Sequence, residues 1–141
     1  MKKNSAIEAA CSRVRRICQR LLDADAFDTM KLDPATVPLR RGIYLWRSKD
    51  DESPAYVGVA LGNRGLKGRN IGQHLRSTYV QSVFRKAVER SERVDASQGS
   101  VKFIKEHFTI ALAECPDDEP AIILAAEALV LAALRPRFNK K

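Results

Sequence analysis

Residues 42–59 read Gly-Ile-Tyr-Leu-Trp-Arg-Ser-Lys-Asp-Asp-Glu-Ser-Pro-Ala-Tyr-Val-Gly-Val. Gly42 to Trp46 and Ala55 to Val59 are rich in β-branched and aromatic residues, which pack well on a pleated surface. The stretch between them, Lys49 to Pro54, is charged and ends in proline, so the two runs predict an antiparallel hairpin with a longish loop. Tyr44 and Tyr56 then project from the same sheet face. Two tyrosines in strands usually serve packing, but Gly42 and Gly58 weaken their strands unless a backbone or a ligand must come close.

Outward from the hairpin, Leu61 to Gly68 (Leu-Gly-Asn-Arg-Gly-Leu-Lys-Gly) is a glycine-dense basic loop. From about Arg69 the pattern turns helical. Val80, Val83, Phe84, Ala87 and Val88 form an i, i+3, i+4 stripe, with Arg76, Arg85, Lys86, Arg90 and Arg93 around it. Ser97 to Ser100 reads as a turn and His107 to Leu112 as a third strand. The acidic turn Pro116 to Pro120 opens a last helix, where carboxylates suit the positive end of the dipole. That helix runs to about Leu134, is apolar on nearly every side and is expected to be buried. Pro136 ends it, and a basic tail follows.

Toward the N-terminus, Ser5-Ala6-Ile7-Glu8 has the spacing of a capping box. Behind it Ile7, Cys11, Val14, Cys18 and Leu21 mark one apolar face of a helix over about residues 6–23. Arg13, Arg16 and Arg20 line another face, as solvated charges or as an arm contacting phosphates. The apolar face packs on the chain's own core or docks a protein partner or a second copy. A link containing Pro34 and Pro38 leads to the hairpin. The reading is two segments: an N-terminal helix and linker over 1–39, and a compact unit over 40–141.

The chain has 141 residues, enough for one domain with a real core, and 25 Lys+Arg against 17 Asp+Glu give it a net charge of +8. That balance favours polyanionic partners, nucleic acid before acidic membrane. No apolar run follows the charged N-terminus, so no secretory signal is expected. The longest apolar run, Ala121 to Leu134, is too short to span a bilayer and is broken by Glu127. Cys11, Cys18 and Cys115 are odd in number and lack C-x-x-C spacing, which argues for reduced thiols and against a zinc site. The expectation is a soluble cytoplasmic protein.

Two residues ask for chemistry. Glu127 stands midway along an otherwise apolar helix, where a carboxylate is costly unless paired, exposed or bound to a metal. His74 lies among Arg64, Lys67, Arg69 and Arg76, which makes it a candidate acid/base group.

Taken in order, Gly42-Ile43-Tyr44, Tyr56-Val57-Gly58, Arg69, His74, Glu127 and Asn139 resemble the motifs of the GIY-YIG nuclease domain. The resemblance covers roughly residues 40–140. It departs at one point: the family commonly places its Arg four residues before the His, whereas Arg69 stands five before His74 and Asn70 occupies the expected position. Either the helix begins after Arg69, leaving it free on the loop, or Arg64 or Arg76 takes its role.

The resemblance implies an α/β (α+β) fold, a small three-stranded antiparallel sheet flanked by helices, to which this chain adds an N-terminal helix. It also implies metal-dependent hydrolysis of a DNA phosphodiester. Glu127 would hold one Mg²⁺ or Mn²⁺. Tyr44 would take the proton of the attacking water, with His74 near enough to help. A tyrosine's ordinary pKa is about 10, so it needs a neighbouring cation to act near neutrality. Arg69 would donate to the scissile phosphate, Tyr56 would hydrogen-bond the phosphate or position the water, and Asn139 would brace the site. Arg64, Lys67, Arg76, Arg85 and Lys86 would contact the DNA backbone. The alternative is a nucleic-acid-binding module that keeps the fold and does not cleave.

Overall fold

The structure, a computed structural model, describes residues 2–31, 37–62, 65–67, 70, 83–94 and 98–139. In chain order the elements are helix α1 (Lys2–Asp23), strands β1 (Phe27–Asp28), β2 (Gly42–Ser48) and β3 (Pro54–Ala60), and the short helix α2 (Gly65–Lys67). Helices α3 (Val83–Glu92) and α4 (Gln98–His107), strand β4 (Phe108–Glu114) and helix α5 (Pro120–Leu134) follow. The sheet is antiparallel with order β1-β4-β2-β3.

The expected hairpin is β2 and β3, paired from Gly42↔Ala60 to Trp46↔Tyr56, with an irregularity between Trp46 and Arg47. The sheet has four strands rather than three. The extra one, β1, is two residues long and pairs Phe27 with Ile110 and Asp28 with Thr109 on the outer side of β4. So short a segment cannot display a period-two pattern, which is why the sequence hides it. Lys49 clamps this corner, with its ammonium 2.9 Å from Asp28 and 3.1 Å from the Lys105 carbonyl.

Strand alternation sends neighbouring residues of β2 to opposite faces. Ile43 and Leu45 join Val57, Ala111 and Ala113 under α1 and α5. Tyr44 and Trp46 join Phe84, Val88, Ile104, Phe108 and Phe138 under α3 and α4. Helix α1, set apart by the sequence with its linker, shares a core with the rest: Ile17, Cys18 and Leu21 are buried against α5 and the sheet. Its apolar face is only half used, because Ile7 is 63% exposed and Cys11 is exposed. The helix begins at Lys2, so Ser5 lies inside it and is not a cap.

Two further expectations change. Gln98, Gly99 and Ser100 open helix α4 rather than form a turn. Ser100 and Val101 stand four and three residues before Ile104 and all three are buried, which gives this segment one buried helical face. Helix α5 is not buried all round. Ile122, Ile123, Ala126 and Val130 face the core, while Leu124 and Leu129 are each 45% exposed, because the sheet covers one stripe only. Among the described residues no helix is long and apolar enough to cross a membrane.

Candidate functional site

The two phenols of the hairpin stand on the face under α3. Their rings are 6.3 Å apart and 27° from parallel. Tyr56 in turn stacks on Phe84 of α3 at 5.0 Å and 16°, and Phe84 also meets Trp46, Phe108 and Phe138. Phe84 is therefore the hub that orients Tyr56, a role the sequence disclosed only as one position of an apolar stripe. Tyr44 is 1% exposed and Tyr56 is partly exposed.

The glycines acquire reasons that lie inside the protein. Gly58 is the cross-strand partner of Tyr44, and a Cβ there would collide with the Tyr44 hydroxyl and ring. A Cβ at Gly42 would collide with the Ala113 carbonyl of β4 and crowd a Leu66 methyl at 2.9 Å. Gly65 adopts φ +52°, in the left-handed region, and its missing Cβ makes room for the Leu39 and Arg40 carbonyls. Backbone bonds from Leu66 to Arg40 (2.9 Å) and from Lys67 to Pro38 (2.7 Å) fasten the basic loop to the segment ahead of β2.

Asn139 is held against the free edge of β3. Its Nδ2 donates to the Val57 carbonyl and its Oδ1 accepts from the Val57 N–H, both at 2.9 Å. Phe138 and Arg137 donate backbone N–H bonds to Ala55 and Pro54, so the turn over residues 137–139 lies against this edge. An unpaired edge is thereby covered.

Glu127 is half-buried on α5. That helix starts near the Gly42 end of the sheet, where Cys115 bonds to Arg41, and ends near Pro54, so it runs antiparallel to β3. Val57 turns its side chain toward α5 and its N–H and C=O outward to Asn139. Residue 127 is about 100° on from buried Ala126. In a right-handed helix of this direction, that rotation carries it toward the outer edge of β3 and away from α1. Glu127 and the tyrosines thus approach from opposite faces, with the β3 edge and Asn139 between them. None of Tyr44, Tyr56 and Glu127 is without an interaction partner.

The remaining expected residues divide. Lys67 is partly exposed on α2, and Lys86 is exposed on α3. Arg85 is not at the surface: it is 2% exposed, and its Nε donates to the Ser100 hydroxyl at 3.2 Å. Burial lowers its pKa and the nearby Glu89 opposes that shift. Arg85 therefore ties α3 to α4 instead of meeting DNA. Asn70 is buried too, donating from Nδ2 to the Leu66 carbonyl at 2.9 Å, and so anchors the loop rather than replacing the arginine. Arg64, Arg69, His74 and Arg76 lie outside the described residues.

Among the described residues no group of three His, Cys, Asp or Glu side chains comes together. The donors present suit a cation that takes one carboxylate and fills its remaining positions with water and phosphate oxygens, as Mg²⁺ does. Comparison with protein-family models, with curated proteins and with solved structures gives no match.

Proposed function

We propose that this chain is a metal-dependent DNA endonuclease. The observations that support the reading are the stacked Tyr44–Tyr56 pair and Asn139 bonded to the Val57 backbone next to Tyr56, with Glu127 half-buried on α5 as the carboxylate of the same unit. The net charge of +8 suits the polyanionic substrate.

In this reading Glu127 holds one Mg²⁺ or Mn²⁺, which when bound neutralises charge on the phosphate and stabilises the leaving oxygen. The other groups belong to the chain. Tyr56, stacked on Phe84, presents its hydroxyl to a phosphate oxygen. Tyr44, closed to bulk water, takes a proton only from a water that enters with the substrate. Its enclosure strengthens every charge interaction around it. Asn139 fixes the backbone at Val57, and with it the residues on either side, Tyr56 and Gly58. Arg69 and His74 follow Lys67 in sequence and supply, in this reading, the phosphate-binding cation and a second acid/base group. Compartment follows from the same reading: a nuclease acting on the cell's own or incoming DNA works in the cytoplasm.

The closure of Tyr44 favours a second reading, a binding module of the same fold that does not cleave. Supercoiled plasmid incubated with Mg²⁺ or Mn²⁺ separates the two, with wild type run beside Glu127→Ala and a chelator control. Relaxed or linear product that requires both metal and Glu127 is the expected result. Wild type that leaves plasmid intact, yet retards it in a gel with an affinity that falls as salt rises, overturns the nuclease and leaves the binding module.

A further inference from the structure

A hollow of about 200 Å³ opens between the β2–β3 turn and the C-terminal end of α4, on the same sheet face as the tyrosines. We propose that it takes one unstacked nucleobase of a DNA strand, while Arg93 and Lys102 beside it take the adjoining phosphates. The inference rests on the DNA reading above and narrows its substrate to DNA with a single-stranded stretch.

Three observations carry it. The first is the wall. The exposed His107 imidazole lies 4.3 Å from the half-buried Phe103 ring, and Phe108 and Phe138 meet edge-on at 5.9 Å behind them. Phe108 and Phe138 are buried, so Phe103 and His107 are the rings within reach of a base, and stacking on such rings is what single-strand sites use, because every base has a face to stack.

The second is the rim. Asp50 and Glu92 supply acceptors, and Glu92 is held in place by Arg137 at 3.1 Å. Carboxylates repel a phosphate and accept hydrogen bonds from exocyclic amino groups, as they do with cytosine. With Asp51 the lining holds three carboxylates against Arg137, which is itself paired with Glu92, a balance that disfavours a phosphate and leaves acceptors for an amino-bearing base.

The third is the neighbouring, more open hollow of about 330 Å³, which shares Phe103 and is lined by Arg93 and Lys102. Lys102 is 78% exposed and only loosely paired with Glu106 at 3.8 Å, so it can turn to a phosphate at little cost. Base and backbone sites thus sit on either side of one ring. Pro54 and Ala55 line the base site and lead directly to Tyr56, so a base held there brings its strand to the tyrosine pair.

Fluorescence anisotropy with short labelled oligonucleotides, in chelator so that nothing is cut, tests the proposal. Wild type is expected to bind oligo-dC more tightly than oligo-dT. Phe103→Ala should weaken oligo-dC binding roughly tenfold and leave duplex binding unchanged. Asp50→Asn should narrow the preference for dC over dT, and Lys102→Ala should reduce the salt slope by about one. Equal affinity of wild type for the two oligonucleotides overturns the proposal, as does wild-type affinity for oligo-dC in Phe103→Ala. If Phe103→Ala melts early, the exposed His107→Ala carries the same comparison. Plasmid cleavage without any dependence of oligonucleotide binding on Phe103 or His107 sinks the base site and spares the nuclease. The reverse pattern, ring-dependent binding of oligo-dC with plasmid left intact, spares the base site and sinks the nuclease.

Discussion

The two faces of the sheet are made of different materials. Under α1 and α5 the contacts are aliphatic, Ile43, Leu45 and Val57 against Ile17, Leu21, Ile123 and Val130. Among the described residues the polar side chains of that core are two thiols, and each meets a backbone carbonyl at 3.6 Å, Cys18 at Ala126 and Cys115 at Ala113. Under α3 and α4 the contacts are aromatic, and Arg85 and Ser100 are buried among the helices that make them. Aliphatic packing is non-directional and supplies stability. Stacked rings and buried polar groups fix orientation, which is what the phenols of the proposed site require. One strand serves both ends, since Ile43 and Tyr44 are neighbours in sequence and point to opposite layers.

That division breaks if a change in the aliphatic layer abolishes activity in molecules that remain folded. Ile123→Ala is the strongest trial. The side chain is fully buried, so its truncation is expected to cost about 2–5 kcal/mol, lowering the melting temperature by roughly 3 °C for each kcal/mol. Plasmid cleavage per folded molecule should stay at the wild-type level well below the transition. Loss of cleavage at a temperature where circular dichroism shows the native fold would mean that the layers are not separable.

Alkali probes the same layer without a change of shape. Burial pushes the Cys115 thiol up from its ordinary 9.0 to about 11. Between those values the folded chain keeps a proton that the unfolded chain releases. The stability is therefore present in full below pH 9 and is lost as pH rises toward 11, at about 1.4 kcal/mol per pH unit. Urea midpoints of wild type and Cys115→Ala, measured below pH 9 and near pH 11, should converge as the pH rises. A gap that stays constant would place Cys115 in a wetter setting than the aliphatic layer.

Gly58→Ala tests the aromatic layer. The new methyl would meet the Tyr44 hydroxyl and ring, and overpacking of this kind costs about 1–3 kcal/mol. Here cleavage should fall even where the fold survives, because the ring that must move is Tyr44. In a Tyr44→Ala background the same substitution should cost little stability. Equal costs in both backgrounds would show that the clash is relieved elsewhere.

These contrasts also explain what the sequence disclosed. The hairpin was legible because its residues alternate and its ends carry turn chemistry, and α5 because its acidic approach and closing proline bracket it. β1 was not, since two residues carry no period, and α4 was hidden by Gly99 and Ser100, which resemble a turn until the buried Val101 and Ile104 are seen. At the candidate site, Tyr44 and Tyr56 could be picked out because of the strand glycines beside them, and Asn139 only through the resemblance to the GIY-YIG motifs. Arg85 misled: an arginine one position from Phe84 reads as the polar flank of the stripe, and only the approach of α4 with Ser100 buries it. The Phe84–Tyr56 stack was illegible for the same reason, since it joins elements nearly thirty residues apart.

The smallest expected effect falls where the two layers meet. Asn139 gives both its amide groups to the Val57 backbone, whose side chain belongs to the aliphatic layer while its neighbours Tyr56 and Gly58 belong to the aromatic one. Asn139→Ala removes two hydrogen bonds at a half-exposed edge that water can partly replace, a loss of about 1–2 kcal/mol. Asn139→Asp keeps the acceptor for the Val57 N–H but turns an oxygen toward the Val57 carbonyl, so it should be no better than alanine. If the edge only stabilises, both variants cleave normally once folded. If it sets the height of Tyr56 against Glu127, cleavage drops at temperatures well below the transition, by more than a melting-temperature fall of roughly 3–6 °C explains, and hydrogen exchange at Val57 rises in step with the lost activity. That coupled outcome is the expected one, because the Val57 backbone that Asn139 holds lies directly between Tyr56 and Gly58 of the proposed site.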